Sequence, residues 1–192
     1  MDRWQNKVAV VTGASAGIGS ACCKYLVARG MVVVGLARRE QRLEQLKSEL
    51  PADQQSRFHY RKCDVSVEND IVQTFAWIEK KFGGTDVLIN NAGILRSTQI
   101  VAESNTSDLK AILDTNVLGV ALCTREAFRS MKKRNFDGHV ILINSILGHS
   151  VPIVSRLSFN MYPPSKHAIT AMTEILRQEF MLNETKIKIT VG

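Results

Sequence analysis

No apolar run in this 192-residue chain approaches the roughly eighteen residues of a membrane span. That absence removes the membrane-spanning classes first. The apolar stretch nearest the N-terminus, Val8 to Thr12, is too short for a signal-peptide core. It runs into glycines rather than a cleavage site, so cytoplasm is the expected compartment. Cysteine is scarce and unpatterned: Cys22 and Cys23 are adjacent, while Cys63 and Cys123 stand alone. Without a CxxC pair, zinc and redox motifs have no support, and buried or half-buried free thiols are expected. Internal repeats, low-complexity tracts and interdomain linkers are also missing. The net charge of +7 lacks the form of a nucleic-acid surface. Its one cluster, Arg129, Lys132, Lys133 and Arg134, has no interleaved aromatics and closes a helical pattern, where cations complement the helix dipole.

What remains is 45% hydrophobic and 22% charged, enough for one sizeable core in a single domain. Apolar β-branched runs alternate with helical periodicity throughout. Strands are expected at Lys7–Thr12, Met31–Ala37, Phe58–Val65, Asp86–Asn90, His139–Ser145 and Lys186–Val191. Helices are expected at Gly17–Arg29, Glu40–Leu50, about Val67–Phe82, Ser107–Arg134 and Tyr162–Leu182. This alternation predicts an α/β fold, a Rossmann-type doubly wound parallel sheet flanked by helices. Ligands of such sheets bind beyond the carboxyl ends of the strands.

Two stretches there carry chemistry. Thr12-Gly13-Ala14-Ser15-Ala16-Gly17-Ile18-Gly19 follows the first strand and opens the first helix. Its glycines permit a tight turn and close backbone approach, and the helix N-terminus offers free N–H groups to a diphosphate. The second strand then ends Ala37-Arg38-Arg39-Glu40. An arginine fork suits the 2′-phosphate of NADP(H), whereas Glu40 falls in the first helical turn and fits a dipole role.

The other stretch is Tyr162-Pro163-Pro164-Ser165-Lys166. Residues four apart share a helix face, so a phenol and an ammonium lie together. A neighbouring cation stabilises a phenolate, and the pair can move the proton of a carbinol oxygen while hydride moves to or from nicotinamide. With Asn160 as N-cap, both prolines fall at the helix start. Ser145, at a strand end, is placed to hydrogen-bond a substrate oxygen. Asn116 lies inside a long helical pattern, where a helix-kinking or capping role is equally open.

Together these residues resemble the short-chain dehydrogenase/reductase family, from about Lys7 to Val191. The resemblance rests on TGxxxGxG at Thr12–Gly19, Asp64-Val65, NNAG at Asn90–Gly93, Asn116, Ser145 and YxxxK at Tyr162–Lys166. It implies that Tyr162 is the general acid/base and that Lys166 stabilises its phenolate and holds the nicotinamide ribose. Ser145 would orient the substrate oxygen, and Asn116 would hold a relay water. Gly13, Ser15, Gly17, Ile18, Gly19, Arg38 and Arg39 would bind the cofactor, as would Asp64 and Val65 at adenine and Asn91, Ala92 and Gly93 at the adjoining ribose. Within the family, Ala37-Arg38-Arg39, Asn144–His149 and the Tyr-Pro-Pro-Ser-Lys stretch are similar to insect farnesol dehydrogenases and their hydroxysteroid-oxidising animal relatives. The implied substrate is a lipophilic alcohol or its carbonyl, with Leu95, Ile146, Leu147 and Val151 as a candidate wall or as ordinary core. Family members pair through the helices that begin here near Ser107 and Tyr162, so a homodimer or homotetramer is implied. Family chains continue beyond the sixth strand into a substrate lid that this sequence lacks, which leaves a second reading: a catalytically silent NADP-binding fragment.

Overall fold

The computed structural model describes residues 2–153 and 158–192. Strands β1 (Val8–Thr12), β2 (Val32–Ala37), β3 (Phe58–Lys62), β4 (Val87–Asn90), β5 (His139–Leu142) and β6 (Lys188–Val191) form one parallel sheet in the order β3-β2-β1-β4-β5-β6. β1 pairs with both β2 (Val8↔Val32) and β4 (Ala9↔Val87) and lies near the middle of the sheet. All its residues are buried, because alternate side chains supply two different cores. Val8 and Val10 join Val34, Leu36, Leu88, Val140 and Leu142 on one face. Ala9 and Val11 join Val33, Val87 and Ile89 on the other. An uninterrupted β-branched run is therefore what this position requires.

Helices α1 (Gly17–Ala28) and α2 (Glu40–Ser48) cover the second face through Cys23, Val27, Leu43 and Leu46. The first face is covered by α3 (Glu68–Phe82), α5 (Gly119–Lys133) and α6 (Tyr162–Leu182), with Ile71, Phe75, Ala127, Met131 and Ile169 facing the sheet. Helix α4 (Thr106–Leu113) precedes α5. Among the described residues, no helix is long and apolar enough to cross a membrane. All four cysteines are free. Burial raises the thiol pKa of each, and Cys63 is pushed up to about 11.

Three expected boundaries need correction. β3 stops at Lys62 rather than Val65, because the Asp64 carboxylate accepts from Ser66 N (3.0 Å) and Ser66 Oγ (2.7 Å) and turns the chain. β5 stops at Leu142 rather than Ser145, whose hydroxyl caps a short 3₁₀ turn by accepting from Leu147 N (3.2 Å). The expected continuous helix Ser107–Arg134 is split into α4 and α5 by a π-helical turn, Asp114–Leu118, centred on Asn116.

At the opposite end of the sheet, buried Asp86 joins three elements. Its carboxylate accepts from Val8 N (2.8 Å) and from the Arg134 guanidinium (2.7 Å), which also bonds Ser130 O (3.1 Å). Asp86→Ala leaves a backbone donor and a half-buried cation unpaired. It should lower unfolding free energy by about 3 kcal/mol in urea titrations followed by circular dichroism, with Asp86→Asn losing less. A loss below about 1 kcal/mol for the alanine variant would show that the pair is incidental.

Candidate active site

The glycine-rich turn, the end of β2, the turn after β3 and the segment after β4 converge on one cavity of about 320 Å³. Gly13, Ser15, Ile18, Arg38, Arg39, Asp64, Val65, Asn91, Ala92 and Gly93, all singled out from sequence, line it. Gly17 and Gly19 do not. Gly17 begins α1, and Gly19 lies behind the turn, where a Cβ would stand 2.5 Å from both Gly13 O and Asn91 Nδ2. The absent side chain at Gly19 is thus what lets α1 close onto the turn.

Thr12 organises the same turn, although it was not among the candidate residues. Its hydroxyl accepts from Asn91 N and Ala92 N, each at 3.0 Å. The Asn91 amide returns to Thr12 O (2.9 Å) and Gly13 O (3.3 Å). The threonine that opens TGxxxGxG was the available signal. Ala16, Ala37, Cys63, Ile94 and Thr115 also line the cavity. Only adjacency to motif residues marks Ala16, Ala37, Cys63 and Ile94 in sequence. Exposed Arg39 donates to Ser15 Oγ (3.0 Å), placing its guanidinium beside the mouth of the turn. Glu40 opens α2 in its first turn, as expected.

The second group is linked to this cavity through Asn116. Its Oδ1 accepts from Ile94 N (2.8 Å), and its Nδ2 donates to Ile94 O (2.9 Å) and Ser165 Oγ (3.1 Å). The Ser165 hydroxyl in turn donates to Tyr162 O (2.7 Å). One buried amide therefore clamps the cavity-lining segment to the first turn of α6. This pull also explains the widened helical turn, which no periodicity in the sequence announced.

On α6, Lys166 Nζ stands 5.7 Å from the centre of the Tyr162 ring. The lysine is 7% exposed, and its ammonium donates to Ile143 O (2.8 Å). Burial holds its pKa below the ordinary lysine value. Ser145, two residues beyond that carbonyl, is half-buried. Because its oxygen accepts from Leu147 N, its own proton is free to be donated.

The start of α6 differs from expectation. Met161, not Asn160, occupies the N-cap position, while Asn160 lies in the left-handed region at φ 52° and its Oδ1 accepts from Met161 N (2.6 Å). The first helical bond is Ser165 N to Met161 O (2.9 Å), so neither proline displaces one. Leu95, Ile146 and Val151 are exposed at the ends of β4 and β5, whereas Leu147 is buried and belongs to the core.

Known proteins are similar to this chain in sequence and in fold. The short chain dehydrogenase family model matches residues 7–191. The chain is 55% identical over 190 residues to farnesol dehydrogenase of Aedes aegypti, covering 99% of this chain and 77% of that one. It is 44% identical over 192 residues to dehydrogenase/reductase SDR family member 11 of Mus musculus, covering 99% and 73%. A short chain dehydrogenase/reductase from Burkholderia phymatum in complex with NAD superposes with a TM-score of 0.88 at 26% identity, over 100% of this chain and 66% of that one. A closed form of serine dehydrogenase complexed with NADP+ gives 0.78 at 27% identity, over 90% and 66%. The chain belongs to the short-chain dehydrogenase/reductase family. It is accordingly an oxidoreductase, with a fold that binds a nicotinamide dinucleotide.

Gly19→Ala tests the cradle directly. The added methyl must displace Gly13 O, so dinucleotide affinity should fall about tenfold or more, read by quenching of protein fluorescence. Unchanged affinity would mean that the turn does not approach the diphosphate.

Proposed function

We propose that this chain is an NADP(H)-dependent oxidoreductase that interconverts a lipophilic alcohol and its carbonyl, of the farnesol/farnesal or steroid kind. The observation that carries the reading is the buried Lys166 ammonium over the Tyr162 ring, coupled through Ser165, Asn116 and Ile94 to the cavity lined by the glycine-rich turn. Residues 1–192 act in this reading as one dinucleotide-binding domain.

The cavity's glycine turn would receive the diphosphate, Asp64 and Val65 the adenine, and Asn91 to Gly93 the ribose. Arg38 and Arg39, both exposed at the cavity and Arg39 bonded to Ser15, would pair with a 2′-phosphate. When bound, the cofactor supplies or accepts the hydride. Tyr162 Oη gives its proton to the carbonyl oxygen in reduction and takes it back from the alcohol in oxidation. Ser145 Oγ donates to the same oxygen. Lys166 supports negative charge on the phenol and bonds the nicotinamide ribose. The Asn116 side chain already has its partners on Ile94 and Ser165, so a relay water would have to use the main-chain carbonyls of its widened turn.

Farnesol dehydrogenase as a relative supports a lipophilic substrate, as do exposed Leu95, Ile146 and Val151 beside the strand ends. The apolar groove between α5 and α6, with Phe128, Met172 and exposed Ile175, supports pairing of two copies into a homodimer or, with a further face, a homotetramer.

NADPH titration followed by its oxidation with farnesal and with a steroid ketone tests the reading. Binding without turnover of either class would overturn it in favour of a silent binding fragment. Tyr162→Phe should lower kcat about a thousandfold and leave NADPH affinity within about twofold. Persistent turnover would remove Tyr162 from proton transfer. Replacing Arg38 and Arg39 together by alanine should weaken NADPH on the order of a hundredfold while NADH changes little. Equal losses would make the arginines bystanders.

A further inference from the structure

The proposed reacting groups come from two elements only: Ser145 from the turn after β5, and Tyr162 and Lys166 from α6. Something must fix the distance between them. Lys166 Nζ to Ile143 O spans the gap, but that ammonium must also serve the chemistry. A second bond spans it one helical turn further on. Asn144, between Ile143 and Ser145, donates from Nδ2 to Thr170 Oγ1 (3.0 Å). The Thr170 hydroxyl donates to Gly148 O (3.0 Å), at the far end of the turn that carries Ser145. The approach is close: a Cβ on Gly148 would stand 2.7 Å from both Asn144 Nδ2 and Lys166 O.

The proton count fixes the direction of this chain. Thr170 has one hydroxyl proton, directed at Gly148 O (3.0 Å) with Lys166 O further off (3.4 Å), so it accepts from the Asn144 amide. The amide therefore faces Thr170 with its nitrogen, and Asn144 Oδ1 is left buried without a partner among the described residues. An orphaned buried acceptor opposes folding, and an apolar pair of the same shape would be at least as stable. The arrangement costs stability, and what it provides is a fixed distance.

We propose that Thr170 and Asn144 are positioning residues that set Ser145 against Tyr162 and Lys166. They touch neither substrate nor cofactor in this role, which rests on the assignment of those three as the reacting groups. The test uses the full chain with farnesal and NADPH. Thr170→Val keeps the shape and removes the hydroxyl. It should lower kcat about tenfold, with KM for NADPH within about twofold and a modest fall in Tm because Asn144 Nδ2 and Gly148 O lose their partner, while Thr170→Ser restores both kcat and Tm. The double variant Asn144→Leu with Thr170→Val should be as slow as the slower single variant, because both break one chain of bonds. A kcat at the original level in Thr170→Val, a serine variant as slow as valine, or fully additive losses would overturn the proposal.

Amide hydrogen exchange gives a readout that does not need turnover. Thr170→Val should speed exchange at Asn144, Leu147 and Gly148 and leave β1 and β4 unaltered. Unchanged protection there overturns the positioning role even if the unsubstituted chain fails to turn over farnesal, a failure that would count against the proposed function alone.

Discussion

The site depends on how the chain ends β1 and β4 side by side. These strands are neighbours whose continuations diverge, β1 into α1 and β4 towards α4, and the divergence opens the crevice where such sheets bind ligands. Divergence also strips backbone groups of their strand partners. Thr12 solves this with one hydroxyl that accepts from Asn91 N and Ala92 N, while the Asn91 amide holds Thr12 O and Gly13 O. The crossing is satisfied from inside, so Gly13, Ala92 and Gly93 can present their other atoms to a ligand. Without that splice, buried polar groups at the crevice floor would need water, and the cavity would lose its fixed shape.

From this splice, order spreads along a route that can be followed bond by bond. Ala92 and Gly93 lead to Ile94, which Asn116 grips at both N and O. Asn116 reaches Ser165, and Ser165 reaches the carbonyl of Tyr162. The cavity at the glycine-rich turn and the Tyr162–Lys166 pair are thus parts of one polar network rather than two adjacent sites. A satisfied network in a low-dielectric setting resists rearrangement, which is what the proposed transfer of hydride and proton to one carbonyl would require.

The sequence made much of this legible, for identifiable reasons. β1 was plain because a strand buried on both faces must be apolar at every position, and Val8–Thr12 is. Most of the residues lining the first cavity were legible because a glycine-rich stretch directly after a buried strand marks the strand's carboxyl end, where such sheets open a crevice. What stayed hidden depends on partners distant in the chain. The widened turn at Asn116 arises from bonds to Ile94 and Ser165, 22 and 49 residues away. The early ends of β3 and β5 come from the Asp64 and Ser145 side chains diverting the backbone locally. Leu147 looked as suitable for a substrate wall as Ile146, yet one packs inward and the other is 79% exposed. Nothing in the pattern around Thr170 distinguishes it from an ordinary helical threonine.

The two prolines at the start of α6 bear on the electrostatics as well as on the helix. A helix N-terminus ordinarily offers several free N–H groups, and their partial charges favour a nearby anion. Here Pro163 and Pro164 follow Tyr162 and carry no N–H, so two of those donors are absent from the turn nearest the phenol. The cation that lies over the Tyr162 ring is Lys166, 5.7 Å from its centre. That ammonium is buried, so it is screened little by solvent, and among the described residues its one acceptor is Ile143 O. Concentrating the field in one side chain has a mechanical consequence: its strength at the phenol follows the position of Lys166 against the β5 end. In the proposed mechanism, bonds that hold that end to α6 would bear on proton transfer alongside the residues that contact the substrate.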